Sequence, residues 1–506
     1  MSLLVFSPRQ QLLLHLPSPA STSSTSTSSS ILQQYLPLLL SLQFLEEEGE
    51  TVTSLQGATT SLLCHQVSGH ILLAVGSPGP ALQSLLQFLV SCVRRLCGPC
   101  PDQVRSPGVA AALRCLVAHW RERRGELAAL SRSLEVRVLG PGERARLEDR
   151  AASWLEARRR ARLPVHLVVL DTRARLLYSS PSLPPASVRF LQLYLAARLQ
   201  DTELGEDGAL REEQHSLQEE RGEVLYLQVR EFPYTPAVLV VTRRGGWVVA
   251  TLTEVGGRGE AALHTLSSLC HAGSRDSGRE AAYVKEIQRT IDVFRKDNQV
   301  KGINTEFERV SKELGSFPPS SPILQLKLRQ LQDRSLQAFT EITQQAFCSF
   351  VDSKFFSLCC FKLELSLDPN PRISELEDLR RRNPSFSMLF VHNTTSGKSF
   401  SHHFGREKSL PPAAVAEFPE ARVLLARNVS LTREYGGVTV YYLRLLVDRL
   451  GLVQGEPGRK GAGEEELQRV DTVAVFRGGG EGGPDLGRVT LALAGIYPSF
   501  CHKLLS

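Results

Sequence analysis

The chain has 506 residues, of which 42% are hydrophobic and 22% charged, and its formal net charge is +6. That length is more than one compact core can use and calls for roughly two to four domains, while the apolar fraction excludes a chain disordered throughout. The positive charge is modest and interleaved with acid, as in "RERRGELAALSRSLEVRV" and "GERARLEDRAASWLEARRRAR". Such runs read as solvated helix faces rather than a nucleic-acid groove, because interleaved aromatics are sparse. A peripheral contact with an anionic membrane surface stays open.

In chain order, "SLLVFS" and "QLLLHL" are short apolar runs separated by "PRQ", which predicts a strand pair. The tract "ASTSSTSTSSS" predicts a flexible loop, and "ILQQYLPLLLSLQFLEEE" predicts a helix despite Pro37. Three strands follow, in "ETVTSLQG", "TTSLLCHQVSG" and "HILLAVG". In "SPGPALQSLLQFLVSCVRRL", Leu82, Leu85, Leu86, Leu89, Val90, Val93 and Leu96 recur at helical spacing behind a Ser-Pro-Gly-Pro start.

That helix runs into Cys97-Gly98-Pro99-Cys100, the letters of a thioredoxin-type dithiol. The redox chemistry needs a strand before the motif and a helix after it, so that a helix N-terminus lowers the thiol pKa. Here the helix precedes the motif and "PDQVRSPG" follows it, which places Cys97 at the negative end of a helix dipole. Gly98-Pro99 therefore reads as a helix stop. The dithiol is still the one visible candidate for an enzyme, a thiol redox enzyme using Cys97 and Cys100.

After a charge-rich helical connector the order of elements returns. "PVHLVVLD" and "ARLLYSS" predict a strand pair, "PPASVRFLQLYLAARLQ" a helix with proline at its start, and "DTELGEDGALREEQHSLQEERG" an acidic loop. "EVLYLQVREF", "AVLVVTRR" and "GWVVATLTEV" predict three strands, and "GEAALHTLSSLCHAG" a closing helix. Between residues 278 and 366 the pattern is that of long amphipathic helices, with Tyr283, Ile287, Ile291 and Phe294 on one face and Leu324, Leu328, Leu331, Phe339, Ile342, Phe347 and Phe350 continuing the stripe. Strands return in "FSMLFVHN", "SFSHHF", "ARVLLARNVSL", "GVTVYYLRLLVD", "DTVAVFRG" and "RVTLALAG", ahead of "IYPSFCHKLL".

Two matching orders of strand pair, helix, three strands and helix amount to an internal repeat of architecture. This order resembles the longin domain, a five-stranded antiparallel sheet flanked by helices. The stretch "VTSLQGATTSLLCHQVSGHILLAVGSPGPALQSLLQFLVSCVRRL" is similar to the first longin domain of the Mon proteins, within the trafficking group that also holds the Ccz proteins, the Hermansky-Pudlak subunits, and Fuzzy and Inturned. "NPSFSMLFVHNTTSGKSFSHHFG" also resembles the C-terminal part of the helical subunit of KICSTOR, a lysosomal nutrient-signalling scaffold. The expected fold is α+β, with tandem longin-like domains at 1–104 and 164–274, a helical connector at 105–163, a helical region at 278–366, and a third strand-rich, longin-like domain at 384–506.

Other motifs carry little chemistry. Ser396-Gly397-Lys398-Ser399 ends like a P-loop, but the leading glycine is replaced by His392, so a strand-turn-strand reading is preferred. "FRGGGEGGPD" lacks dinucleotide spacing and reads as a loop tip. His402-His403, Cys501-His502 and Cys64-His65 lack paired ligand spacing, so no metal and no cofactor is expected. The ten cysteines form no even framework, which points to a reducing compartment, and the chain shows neither a signal-peptide pattern nor an apolar run of about twenty residues. Asn393-Thr394-Thr395 and Asn428-Val429-Ser430 match a glycosylation pattern that a cytoplasmic chain would not present.

The resemblance implies a non-catalytic subunit of a longin-type complex, cytoplasmic and peripheral on endosomal or lysosomal membranes. Such a subunit pairs with a second longin-bearing subunit and contributes to a guanine-nucleotide exchange platform for a small Rab-type GTPase. A scaffold subunit of a lysosomal or endosomal signalling or coat assembly is the alternative. The candidate partner-binding residues are Val67, Ile71, Leu73, Leu85, Leu89 and Val93.

Overall fold

The computed structural model describes residues 1–17, 28–47, 52–67, 69–160, 164–204, 223–229, 232–244, 246–254, 340, 343, 344, 347, 348, 374–404, 409–425, 430–447 and 468–477. These residues form an α+β protein with three sheets.

The first unit comprises β1 (Ser2–Phe6), β2 (Leu12–Leu16), α1 (Ser28–Glu47), β3 (Ser54–Gln56), β4 (Ser61–Val67), β5 (His70–Gly76) and α2 (Pro80–Cys97). Its strands lie in the antiparallel order β2-β1-β5-β4-β3. Because side chains alternate along a strand, β1 and β5 are apolar on both faces. Leu4, Phe6, Ile71 and Leu73 pack beneath Ile31, Leu39 and Leu42 of α1, while Leu3, Val5, Leu72 and Ala74 face Leu82, Leu85 and Leu89 of α2. The Ser/Thr tract is not wholly a loop, since its last three serines already belong to α1.

Four elements follow: α3 (Pro107–Arg123), α4 (Leu127–Ser131), β6 (Leu134–Glu135) and α5 (Pro141–Arg160). The second unit is β7 (Val165–Asp171), β8 (Leu176–Ser179), α6 (Pro185–Leu204), β9 (Glu223–Val229), β10 (Phe232–Arg244) and β11 (Trp247–Glu254), with the order β8-β7-β11-β10-β9. One face packs on Leu147 and Ala151 of α5, the other on Val188, Leu191 and Leu195 of α6.

The third unit holds α7 (Ser374–Arg382), β12 (Phe386–Asn393), β13 (Lys398–His403), α8 (Pro412–Leu425), β14 (Ser430–Tyr435), β15 (Val438–Val447) and β16 (Gln468–Arg477). Its order is β14-β15-β16-β12-β13, with β6 added at the end. The same arrangement thus occurs in all three sheets: the last strand of a three-strand meander returns beside the first strand of the opening hairpin.

Two sequence expectations are corrected. Residues 105–163 are not helical throughout, because Leu134, Val136 and Val138 alternate with Glu135, Arg137 and Leu139 and run as an extended edge. Leu134 N–H donates to Gly397 O and Val136 N–H to Ser399 O, each at 2.8 Å, and Arg137 N–H donates to Leu176 O at 2.8 Å, so this short segment stitches the third sheet to the second. The run "ARVLL" at 421–425 is the end of α8 rather than a strand, since Ala414, Phe418, Ala421 and Leu425 fall on one helical face over Phe390, Tyr442 and Val475. Helical spacing across α8 outweighs the short apolar run Val423–Leu425 that suggested a strand.

The expected closing helix in "GEAALHTLSSLCHAG", nearly all of the 278–366 helices, and the final runs "RVTLALAG" and "IYPSFCHKLL" lie outside the described residues. The inner faces of all three sheets meet in one apolar cluster, with α2, α3 and α6 at its centre.

Candidate functional site

The dithiol motif ends α2. Gly98, at φ +60°, caps the helix with its N–H donating to Arg94 O at 3.0 Å, and Cys100 N–H donates to Cys97 O at 3.2 Å. A short 3₁₀ turn, Pro101–Arg105, follows. Cys97 is fully buried, and burial, then Cys100 and Asp102, push its thiol well above the usual thiol range. Burial and Asp102 also raise Cys100. Neither thiol has the low pKa that attack on a disulfide requires near neutral pH.

The six residues expected to bind a partner are core residues. Val67, Ile71, Leu73, Leu85, Leu89 and Val93 are all buried, none more than 7% exposed. Leu85, Leu89 and Val93 face the central cluster, and Ile71 and Leu73 lie under α1. Apolar spacing marks residues that are buried, and the protein's own helices and sheets cover them.

The apolar surface left open on this unit lies elsewhere. Leu40 and Phe44, one turn apart on the outer side of α1, are 53% and 62% exposed, and Leu55 on β3 is 44% exposed. Leu55 pairs across the strands with Leu62, which packs toward α1, and directly opposed residues share a face, so Leu55 lies on the α1 side of the sheet. All three residues of β3 are exposed, and β3 ends the sheet. The helix is uncharged from Ser28 to Leu45. Among the described residues α1 and β3 form an apolar, uncharged face beside a strand edge with no further strand on it, the kind of surface that pairs with another chain.

A serine-histidine-glutamate chain, which no sequence motif marks, sits at one end of the second sheet. His166 Nδ1 is 2.8 Å from the exposed Ser182 Oγ, and Nε2 is 2.7 Å from Glu254 Oε1. That is the connectivity of a nucleophile, base and orienting acid. Acyl transfer also needs N–H donors for the developing oxyanion. Around Ser182, Pro181 has no N–H, Ser180 N–H is bonded to Leu167 O, and Leu183 N–H to Ser180 O. These contacts tie the β8–α6 loop to the ends of β7 and β11.

The P-loop-like segment is the β12–β13 turn, with Gly397 at φ +70° and Lys398 opening β13. Among the described residues no cluster of histidine, cysteine and carboxylate residues is arranged to hold a metal ion. On the α8 side of the third sheet, Arg444 Nε and Nη2 donate to the two oxygens of Asp471, the second at 2.8 Å, and His392 is paired across the strands with Asp471. Burial, reinforced by Arg422, drives His392 down to about 4, with Asp471 opposing.

No family model and no curated protein matches this chain. Among solved structures, an RNA-binding light-oxygen-voltage receptor is similar over 67% of this chain and 96% of its own at 14% identity, with a TM-score of 0.13 that is too low to bear on fold or function. No helix of the described residues is long and apolar enough to cross a membrane.

Proposed function

We propose that the three sheets are longin-like domains and that the chain is a non-catalytic subunit of a longin-type complex contributing to a guanine-nucleotide exchange platform for a small Rab-type GTPase on endosomal or lysosomal membranes. The observation that carries this reading is the strand order shared by the three sheets, a hairpin whose first strand is flanked by the last strand of a meander. A subunit of this kind acts through shape, stabilising a nucleotide-free GTPase, and needs no titrating side chains. The apolar face of α1 and the open edge of β3 are the surface on which the first domain meets the equivalent domain of a second longin-bearing subunit.

The test is purification of the full-length tagged chain under mild conditions, identification of its stoichiometric partners by mass spectrometry, and a nucleotide-release assay on the recovered complex. A second longin-bearing subunit together with faster release supports the proposal. Recovery with large scaffold proteins and no effect on release would replace it with the scaffold reading.

A further inference from the structure

Ser182 lies in the β8–α6 loop, and the chain is fixed on both sides of it. Ser180 N–H donates to Leu167 O at 2.8 Å, Ser180 Oγ accepts from Leu167 N–H at 2.7 Å, and the buried Leu183 donates its N–H to Ser180 O at 3.0 Å. Pro181 and Pro184 restrict the backbone further, since each locks its own φ. The hydroxyl of an exposed serine is thereby held 2.8 Å from Nδ1 of His166, a residue only 5% exposed.

The glutamate decides which ring nitrogen carries the proton. A carboxylate only accepts, so the 2.7 Å contact from Glu254 Oε1 places hydrogen on Nε2 and leaves the Nδ1 lone pair facing Ser182. Glu254 is itself anchored at the end of β11, where its N–H donates to Pro164 O at 3.0 Å. His166 therefore meets the serine as a base, and Ser182 O–H donates to it. The position also holds one oxyanion donor, because among the described residues the N–H of Ser182 itself meets no acceptor. In serine acyl transfer the nucleophile's own N–H is one of the groups that receive the developing charge.

We infer that Ser182 is a nucleophile, with His166 as its general base and Glu254 as the residue that positions the base, and that the three form a site for acyl transfer from activated esters. Ser182 Oγ bonds to the ester carbonyl carbon as its proton passes to Nδ1. The bond from that carbon to the leaving oxygen then breaks, and the leaving oxygen takes the proton from Nδ1. Water adds next to the acyl carbon, giving a proton to Nδ1, and the acyl–Oγ bond breaks as that proton returns to Oγ, so the products are an acid and an alcohol. A missing oxyanion donor costs about 10²–10³ in rate, which restricts the site to esters with good leaving groups, such as aryl esters and thioesters. This activity goes beyond the exchange-platform reading and does not depend on it.

The test treats the full-length chain with a fluorophosphonate and with p-nitrophenyl acetate, and locates the modified serines by peptide mapping. The expected result is an adduct at Ser182 that forms about a hundredfold or more faster than at the exposed Ser106 of the same sample, the worth of a positioned general base. Ser182→Ala, a change at an exposed position, should abolish the early burst of p-nitrophenol. Glu254→Gln, whose amide can donate to Nε2 and turn Nδ1 into a donor, should lower the maximal labelling rate about tenfold or more at an unchanged half-saturating reagent concentration. Labelling of Ser182 no faster than Ser106 in the wild-type chain, or a burst that survives Ser182→Ala, overturns the inference. Both of these readings are made without altering a buried residue, so a variant that fails to fold cannot mask them.

Discussion

Gly98 and Tyr226 are in direct contact: a Cβ on Gly98 would stand 2.7 Å from Cδ1 of the Tyr226 ring. The end of α2, in the first unit, is thereby seated on β9 of the second. Gly98 is also at φ +60°, where an L side chain is strained. Gly98→Ala is expected to destabilise the chain by about 2–4 kcal/mol. Urea unfolding of Gly98→Ala, Tyr226→Leu and the double variant would show it, and the alanine substitution should cost less in the Tyr226→Leu background.

The buried dithiol should be chemically quiet. In the folded chain, Cys97 is expected to resist alkylation at pH 8 while the exposed Cys348 reacts. Peptide mapping after timed iodoacetamide treatment reads both rates in one sample. Rapid modification of Cys97 in the native state would restore the redox reading.

Charge placed on the two apolar faces of the first unit should have opposite effects. Leu89→Asp puts an unpaired charge in the central cluster and should cost several kcal/mol, enough to unfold the unit. Leu40→Asp with Phe44→Asp, on the exposed side of α1, should change stability by no more than about 0.5 kcal/mol while abolishing recovery of a second subunit. Thermal melting and quantitative co-purification of the same preparations check both halves.

Acid should weaken the third unit through His392. Its pKa is about 4 when folded against an ordinary 6.5, so between those values the unfolded chain binds a proton that the folded chain does not. Stability therefore falls as pH drops from 6.5 towards 4, by about 3 kcal/mol at most. His392→Gln should show a flatter dependence over that window in melts from pH 7.5 to 4.5.

Breaking the buried ion pair beside it is expected to cost more than breaking a surface pair. Asp471→Asn leaves Arg444 without its carboxylate in a part-buried position and should cost about 3–5 kcal/mol. Arg160→Gln, whose partner Glu156 is half exposed, should cost less than about 1 kcal/mol. Denaturant midpoints of the two variants decide between these outcomes.

Much of the local structure was legible in the sequence, because its signals are short in range. Alternation or continuous apolar runs located β1, β5, β7, β11, β12 and β15, and the spacing from Leu82 to Leu96 located α2. The glycine-proline stop after α2 was also readable, since helix geometry and capping depend on adjacent residues alone. β6 was missed although Leu134, Val136 and Val138 carry the alternating signal, because a two-residue strand is stable only beside the partner that the third sheet supplies.

The sequence by itself determined which faces are apolar and in what order strands and helices follow one another. The tertiary structure decided what covers each face. It buried Val67, Leu85 and Leu89 within the chain and left Leu40, Phe44 and Leu55 outside. It joined His166 to Ser182 and Glu254, groups that are far apart in the chain. The physical reason is that hydrophobicity has no direction: a periodic pattern states that a surface must leave water, and long-range packing alone selects its partner.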